Sequence, residues 1–412
     1  MNRSFLLILC MVAYMSCAAQ KNKFIDENIS FAKTQTRQML KVSPDVTQYP
    51  RTTDKSGVIK YTDMYDWTSG FFAGNLWYLF DYSKDAYWKK EAVQWTESLE
   101  PLKNFTKHHD LGFMMYCSYG NAYRLTGNAQ YKDVLIKSAE SLCTRFNPKT
   151  GCIKSWNYRR SLDRKSEWFY PVIIDNMMNL ELLFFASKAS GNSKYRDIAI
   201  THAETTLKNH FRPDFSTYHV VNYDSITGAV LNRGAAQGYT DASTWARGQA
   251  WAIYGFTMVY RETKKPEFLN AAMKAADFYL NSNLPKDMIP YWDLNVTDSA
   301  FKPVWKNVSK QSLLQRDASA AAIVSSALFE LSQYAVDKSA IYKNAAKTIL
   351  ESLSKSYKYT SGTNSYFLLK HSLGSFPNND EIDVPLIYAD YYYLEALLRY
   401  KNLSDNNKTV LK

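Results

Sequence analysis

Residues 241–256 read DASTWARGQAWAIYGF, and this stretch contains the pattern that decides the fold. It begins with an aspartate, a residue preferred at the start of a helix, and continues with glycine, alanine and aromatic residues on every face. A helix of this composition is buried on all sides. Five further stretches share the pattern, and they begin at Asp66, Asp110, Asp175, Asp317 and Asp383. The sequence therefore predicts six buried helices, each starting at an aspartate.

Amphipathic segments lie between the buried stretches and share an aromatic residue followed four positions later by a small or apolar one. The pairs are Trp88 and Ala92, Tyr131 and Leu135, Tyr195 and Ala199, Phe268 and Ala272, and Tyr342 and Ala346. Their other positions carry lysine, glutamate and glutamine, which predicts helices with one face in the core and one in water. A segment near residues 26–42 supplies a sixth helix of this kind.

This alternation predicts an all-α fold, a closed (α/α)6 barrel of six helical hairpins, because closure leaves no apolar end exposed. An open array of helical repeats is the alternative. The long connections, chiefly 146–170, 211–242, 282–316 and 357–383, all lead to the start of a buried helix. They therefore gather on one face, and long loops in compact domains are usually functional.

Residues 1–20 combine an early Arg3, an apolar run and then small residues, which is typical of a secretory signal peptide and not of a membrane span. We expect an exported, periplasmic protein whose residues 21–412 form a single catalytic domain without a transmembrane segment. Cys17 is a candidate lipoprotein acceptor, although Tyr14 fits that pattern poorly. Cys143 and Cys152 could pair, but buried free thiols are favoured, and the cysteines form no metal pattern.

The formal net charge of +11 and the aromatic content of 15% favour an anionic partner. The leader and the lack of a recognisable binding motif argue against nucleic acid, so acidic oligosaccharides fit better. The loop KSWNYRRSLDRKSEWFY, residues 154–170, mixes basic and aromatic residues and predicts the rim of a pocket for an anionic ring. Its members include Trp156, Tyr158, Arg159, Arg160, Trp168 and Tyr170.

Helix capping is the ordinary interpretation of any one of the six aspartates, and Asp241 and Asp317 have the context most typical of a cap. Six helix starts at one barrel mouth nevertheless bring several carboxylates within reach of one ligand, as two-carboxylate glycosidase chemistry requires. Composition alone does not identify the pair.

Five motifs together resemble glycoside hydrolase family 88, the unsaturated glucuronyl hydrolases. They are DWTSGFFAGNLWYL (66–79), HHDLGF (108–113), IIDNMMNL (173–180), QGYTDASTWARGQAWAIYGF (237–256) and DVPLIYADYYYLEALLR (383–399). They occur in the family's order over nearly the whole mature chain. The resemblance implies an (α/α)6 barrel that removes the 4,5-unsaturated uronic acid from the non-reducing end of lyase-generated oligosaccharides, and the basic charge favours glycosaminoglycan fragments.

The resemblance also implies roles for particular residues. Asp175 is the general acid and base, and Asp110 is the second essential carboxylate. The implied substrate-binding residues are Trp67, His109, His219, Gln237, Arg247 and Trp251. Without the resemblance, core packing accounts for either tryptophan, a buried ring for His219 and a carbonyl contact for Arg247. No metal or other cofactor is implied.

The family's substrate contains a C4=C5 vinyl ether conjugated to a carboxylate. Protonation at C4 creates an oxocarbenium-like cation at C5, water adds there, and the resulting hemiketal opens to release the aglycone. A carboxylic acid that protonates carbon must keep its proton near neutral pH. Asp175 lies among Ile173, Ile174, Met177 and Met178, and this apolar context predicts a raised pKa.

Ser372 and Ser375 lie in a loop that some relatives use to recognise sulfate through a Ser-x-Ser-x-Lys motif. Here the two serines are three apart and no lysine follows, so the preference for sulfated products stays open. The alternatives are an unsaturated rhamnogalacturonyl hydrolase acting on pectin fragments, a sugar epimerase, which the six histidines do not favour, and a non-catalytic sugar-binding lipoprotein. The sequence does not indicate an oligomeric state.

Overall fold

The computed structural model describes residues 3–303, 305, 311–360 and 365–403, and side chains from residue 19 onward. Residues 1–2 and the side chain of Cys17 lie outside the described part. The α-helices are α1 (Arg3–Val42), α2 (Ser69–Ser83), α3 (Ala86–Glu97), α4 (Leu111–Met115), α5 (Asn121–Thr126), α6 (Ala129–Cys143), α7 (Leu180–Ser190), α8 (Ser193–Asn209), α9 (Ala246–Thr263), α10 (Pro266–Asn281), α11 (Ala318–Leu331), α12 (Ser339–Ser352) and α13 (Ile387–Asn402).

Six helical segments form a closed inner ring. They are α2, the continuous run of α4, a π-helical turn (Tyr116–Gly120) and α5, then a 3-10 helix (Ile174–Asn179) with α7, and finally α9, α11 and α13. Each segment packs against the next, and α13 packs against both α11 and α2. The ring therefore has no open end, which confirms the (α/α)6 barrel and excludes the open array.

The burial of the helices follows the sequence pattern. Helix α9 is buried from Ala246 to Val259, and α11 is buried along its whole length. The outer helices α3, α6, α8, α10 and α12 each bury the aromatic residue and its partner four positions later. The end of α1 packs against α2 and α13 and takes the sixth outer position.

Short antiparallel strands fill the connections at the mouth of the barrel. They are β1 (Tyr49–Thr53), β2 (Ile59–Thr62), β3 (Phe146–Asn147), β4 (Cys152–Ile153), β5 (Arg159–Arg160), β6 (Glu167–Trp168), β7 (Pro171–Ile173), β8 (Val220–Tyr223), β9 (Val230–Gly234), β10 (Ser372–Ser375) and β11 (Asp380–Val384). β7, β8 and β9 form one sheet, and the others pair as β1–β2, β3–β4, β5–β6 and β10–β11. The long connections are thus ordered into a rim around the inner helix starts.

The predicted aspartate caps are confirmed for Asp317 and wrong for Asp241. Asp317 accepts hydrogen bonds from the backbone N–H groups of Ser319 and Ala320 at the start of α11. Asp241 instead accepts the N–H of Ala235. A hydrogen-bonded turn at residues 240–243 and the extended Trp245 delay the start of α9 until Ala246.

The prediction that a helix begins at Asp383 is also wrong. Asp383 lies in β11 and pairs with His371 across the β10–β11 hairpin, at 2.6 Å. Pro385 holds the residue before it in an extended conformation, and Leu386 is extended too, so α13 begins only at Ile387.

The described cysteines beyond the leader are Cys117, Cys143 and Cys152, and all three are buried free thiols, as favoured from the sequence. Within the described residues, the helices include none that combines the length and apolar character needed to cross a membrane.

Candidate active site

A cavity of about 310 Å³ opens at the end of the barrel where the inner helices begin. Its volume lies at the lower end of the range typical of small-molecule sites. The lining residues come from the helix starts, the 154–168 loop, the approach to α9 and the β10–β11 hairpin. They are Trp67, Asp110, Trp156, Arg159, Ile173, Asp175, Gln237, Trp245, Arg247, Ser375, Asn378 and Asp380.

Asp175 lines the cavity in a buried setting that favours the protonated form of its carboxyl group. It follows β7, sits in the 3-10 helix that precedes α7 and is only 9% exposed. Burial raises the pKa of Asp175 to about 7, Arg247 opposes the rise, and the negative charge of Asp110 adds to it. Among the described residues, none donates a hydrogen bond to its Oδ2 atom. Burial therefore favours the protonated form of this carboxyl group, as its apolar context predicts.

Asp110 lies at the start of α4 but makes no side-chain cap. Its oxygens face two histidines instead, with His108 Nδ1 at 3.1 Å and His109 Nε2 at 3.3 Å. Burial opposes the charge of Asp110, but the two histidines outweigh it and hold its pKa below the ordinary value. Asp175 and Asp110, two of the carboxylates that line the cavity, thus have pKa values displaced in opposite directions, which is the arrangement expected of an acid beside an anion.

His109 is neutral and oriented by its own partners. Burial lowers its pKa to about 4. Its Nδ1 atom lies 3.3 Å from the hydroxyl of Ser155 and 3.4 Å from the side-chain amide of Asn179, both able to donate. The proton therefore resides on Nε2, which faces Asp110.

His219 is a buried ring that contacts two aromatic residues of the cavity wall, Trp156 and Trp245. Its Nδ1 atom accepts the backbone N–H groups of Ala236 and Gln237, so its proton is on Nε2, 3.6 Å from Asp175 Oδ2. Burial, followed by the positive charge of Arg159, lowers the pKa of His219 well below its ordinary value. The ring packs against Trp245 at 4.4 Å between centroids. His219 is thus a neutral donor facing Asp175.

Arg247 lines the cavity, but its guanidinium is already hydrogen-bonded to other protein groups. It donates to Asp317 Oδ2 at 2.9 Å, to the carbonyl of Leu373 at 2.5 Å and to that of Gly374 at 2.7 Å. Its charge is therefore largely balanced by Asp317, and its donors hold β10 in place. Gln237 donates to the same Gly374 carbonyl at 3.1 Å.

The structure brings most of the sequence-predicted site residues together. Trp67, Asp110, Asp175, Gln237, Arg247 and Ser375 line the cavity, and His109 and His219 lie behind the two carboxylates. Trp251 and Ser372 are not on its wall, since both are 0% exposed. Trp251 packs between Phe113 and Tyr392, beneath the cavity wall. Ser372 begins β10 with its side chain turned inward.

The predicted rim loop is only partly at the cavity. Trp156 and Arg159 line it, but Trp168 and Tyr170 are buried below the rim, and Arg160 is exposed and paired with Glu167. The sequence interpretation did not assign Trp245, Asn378 and Asp380. Trp245 had a signal, because it stands in the motif that precedes α9. Asn378 and Asp380 had none beyond ordinary turn residues in SFPNND.

Comparisons with known proteins identify relatives along almost the whole chain. The sequence model of the family described as Glycosyl Hydrolase Family 88 matches residues 33–402. A protein of Formosa agariphila named unsaturated glucuronyl hydrolase is 44% identical over 392 residues, 93% of each chain. The unsaturated chondroitin disaccharide hydrolase of Streptococcus agalactiae serotype III is 34% identical over 359 residues, 86% of each chain.

Solved structures show the same architecture. A structure described as an unsaturated glucuronyl hydrolase specific for heparin superposes with a TM-score of 0.86 at 42% identity, over 94% of this chain and 100% of that one. The unsaturated glucuronyl hydrolase of Bacillus sp. GL1 gives a TM-score of 0.81 at 29% identity, over 91% and 96%.

Proposed function

Because the chain belongs to Glycosyl Hydrolase Family 88, we propose that it removes the 4,5-unsaturated uronic acid from the non-reducing end of lyase-generated oligosaccharides. It is a glycosidase of the unsaturated glucuronyl hydrolase type. The observation that carries the proposal is that two of the carboxylates lining one cavity have pKa values displaced in opposite directions, Asp175 upward and Asp110 downward. An acid that keeps its proton beside a fixed anion suits protonation of an electron-rich alkene.

Asp175 donates its proton to C4 of the substrate. The electrons of the C4=C5 bond form the new C–H bond, and the positive charge that develops at C5 is shared with the ring oxygen. The anion of Asp110 lies in the same cavity and stabilises this charge. The carboxyl group of Asp175 leaves this step as a carboxylate.

Water then adds to C5, and the Asp175 carboxylate accepts its proton, which restores the acid. His219 directs its Nε2–H towards the Asp175 carboxylate and steadies it while it is charged. The C5 hemiketal opens to a ketone, C1 becomes a free hemiacetal, and this collapses to an aldehyde as the aglycone leaves. No glycosyl-enzyme intermediate forms on this route.

Glycosaminoglycan fragments are the proposed substrate class. One relative is described as specific for heparin, and another is named for unsaturated chondroitin disaccharides. The net charge of +11 favours polyanionic products in general. The aglycone would leave the cavity past Ser375, Asn378 and Asp380, which form the wall contributed by the β10–β11 hairpin.

A panel of lyase-generated disaccharides tests the function. The purified protein is expected to abolish the ultraviolet absorbance of the conjugated double bond in unsaturated chondroitin, hyaluronan or heparin disaccharides. Unsaturated rhamnogalacturonan disaccharides serve as the pectic comparison and are expected to react more slowly. Faster turnover of the pectic substrate would assign the enzyme to pectin, and no turnover of any substrate would reject the function.

The pH dependence of the reaction follows from the raised pKa of Asp175. The acid must be protonated to act, so kcat is expected to level off on the acid side and to fall above a pH of about 7. The slope on the alkaline side is about tenfold per pH unit, because one proton is lost. Initial rates in a constant-ionic-strength buffer series measure this limb, and a rate that rises through neutral pH would contradict the role of Asp175.

We also propose that residues 1–20 are an export signal and that residues 21–412 are the mature catalytic domain in the periplasm. The apolar run after Arg3 and the small residues around Cys17 support this. Intact mass of the protein recovered from the producing cell distinguishes the outcomes. A chain lacking the leader supports export, added acyl mass on Cys17 supports lipid anchoring, and an uncut chain rejects both.

A further inference from the structure

Arg159 carries a guanidinium that lines the catalytic cavity and pairs with no carboxylate of the described residues. It lies in β5, is partly buried, and stacks over the ring of Trp156 at 4.6 Å. Within the described part of the chain, no carboxylate or hydrogen-bond acceptor meets its guanidinium, and burial is the cause that lowers its pKa. A partly buried charge without a counter-ion is costly, so its presence points to a ligand that supplies the anion.

The neighbouring arginines are already satisfied. Arg247 is bound by Asp317 and two backbone carbonyls, Arg160 pairs with Glu167 in solvent, and Arg145 donates to the carbonyls of Lys154, Ser155 and Thr106. Among the residues described as lining the cavity, Arg159 is therefore the cation with free donors. Arg247, in contrast, serves to position the β10 backbone.

The location of Arg159 relates it to the reacting end of the cavity. Its partner Trp156 contacts the ring of His219 edge-on, with centroids 6.3 Å apart, and His219 Nε2 lies 3.6 Å from Asp175 Oδ2. The charge of Arg159 also lowers the pKa of His219. The guanidinium of Arg159 is thus linked to Asp175 through two intervening rings, those of Trp156 and His219.

We propose that Arg159 binds the carboxylate of the unsaturated uronic acid and sets the sugar so that C4 faces Asp175. This inference rests on the proposed function. The carboxylate is attached to C5, next to the carbon that is protonated, so its receptor must lie near the acid. An anionic substrate also enters a cavity that contains the Asp110 anion, and a guanidinium offsets that repulsion. Arginine suits the task because its paired donors match a carboxylate.

A sulfate on the aglycone is the other anion that a guanidinium would bind. The β10–β11 wall of the cavity, formed by Ser375, Asn378 and Asp380, carries a carboxylate of its own at Asp380, which does not favour a sulfate there. The contacts that link Arg159 to Asp175 through Trp156 and His219 favour the uronate carboxylate, which is attached beside the protonated carbon, as its partner. The experiment below separates the two anions.

Arg159→Gln is measured with three substrates: an unsulfated unsaturated chondroitin disaccharide, its uronate methyl ester and the 6-sulfated disaccharide. Loss of a charge-assisted hydrogen bond is expected to lower kcat/KM for the unsulfated acid by roughly 10- to 100-fold. The methyl ester lacks the carboxylate charge, so Arg159→Gln and wild type should turn it over at similar rates. The sulfated acid should lose about as much as the unsulfated one.

Arg160→Gln is the matched control, because Arg160 is adjacent, exposed and paired with Glu167, and it should leave all three rates unchanged. Arg159→Lys keeps the charge and should recover part of the loss. An equal loss on acid and ester would show a structural role, and a loss confined to the sulfated substrate would identify a sulfate receptor. Either outcome overturns the inference. Failure of wild type on both acids would instead reject the proposed function.

Discussion

Asp175→Asn is expected to lower kcat by about 10²- to 10⁴-fold, the range attributed to a positioned acid–base group. Asparagine has nearly the same shape but holds no transferable proton, so C4 receives none. Substrate affinity should change little, because the other cavity residues stay in place. Pre-steady-state and steady-state rates on an unsaturated disaccharide give kcat, and titration of the inactive variant gives its Kd.

The stability of the variant separates lost chemistry from lost folding. The pKa of Asp175 is raised from 3.8 to about 7, so the folded protein binds more protons than the unfolded chain between these values. Stability conferred by this group therefore falls as pH rises through that window. Asp175→Asn removes the penalty and should melt above the wild-type Tm at about pH 8, with the difference vanishing below the ordinary aspartate pKa.

Asp241→Asn is the control for this substitution. Asp241 belongs to the same set of six aspartates, but it does not line the cavity, and an asparagine oxygen still accepts the N–H of Ala235. Its activity should stay near wild type. Unimpaired turnover by Asp175→Asn would reject the assignment of Asp175 as the acid, whatever the activity of the Asp241→Asn control.

Asp110→Asn is expected to lower kcat/KM by about 10²- to 10³-fold, since it removes the anion that faces the cation developing at C5. The variant also removes a negative charge that raises the pKa of Asp175. The alkaline limb of its pH–rate profile should therefore move to lower pH than in wild type. Rates across a pH series, with Asp241→Asn as the control, measure both effects.

The shift of the limb distinguishes an electrostatic role from a structural one. A residue that only supports the helix start would lower the rate without moving the limb. If the pH–rate profile of Asp110→Asn keeps its wild-type midpoint, Asp110 does not influence the pKa of Asp175, even if activity falls.

The barrel was predictable because the sequence alternates helices that are buried on all sides with helices that bury only one face. Each inner helix lacks a polar face, and five of the six outer helices carry an aromatic residue four positions before a small or apolar one, as in Trp88 and Ala92. The helix starts were less predictable. Asp241 and Asp383 have the composition of caps, but a tight turn and Pro385 delay the helices, and these are local backbone effects that composition does not reveal.

The site was predictable in part. The resemblance of whole motifs pointed to Asp110 and Asp175, and the apolar neighbours of Asp175 predicted its raised pKa. The same resemblance could not show that Trp251 lies beneath the cavity wall and not on it. Nor could the sequence show that the guanidinium of Arg247 is hydrogen-bonded by protein groups while that of Arg159 is not. Residues that contact each other in this barrel are separated by tens of residues along the chain.

Single turnover of an unsulfated unsaturated disaccharide tests the central claim most directly, namely that Asp175 protonates C4 before the glycosidic bond breaks. Absorbance of the double bond and release of the aglycone are followed together after mixing with excess enzyme. The account predicts that the absorbance is lost before or together with aglycone release, and that Asp175→Asn shows neither change. Release of the aglycone while the double bond persists would mean direct cleavage at C1 and would contradict the account.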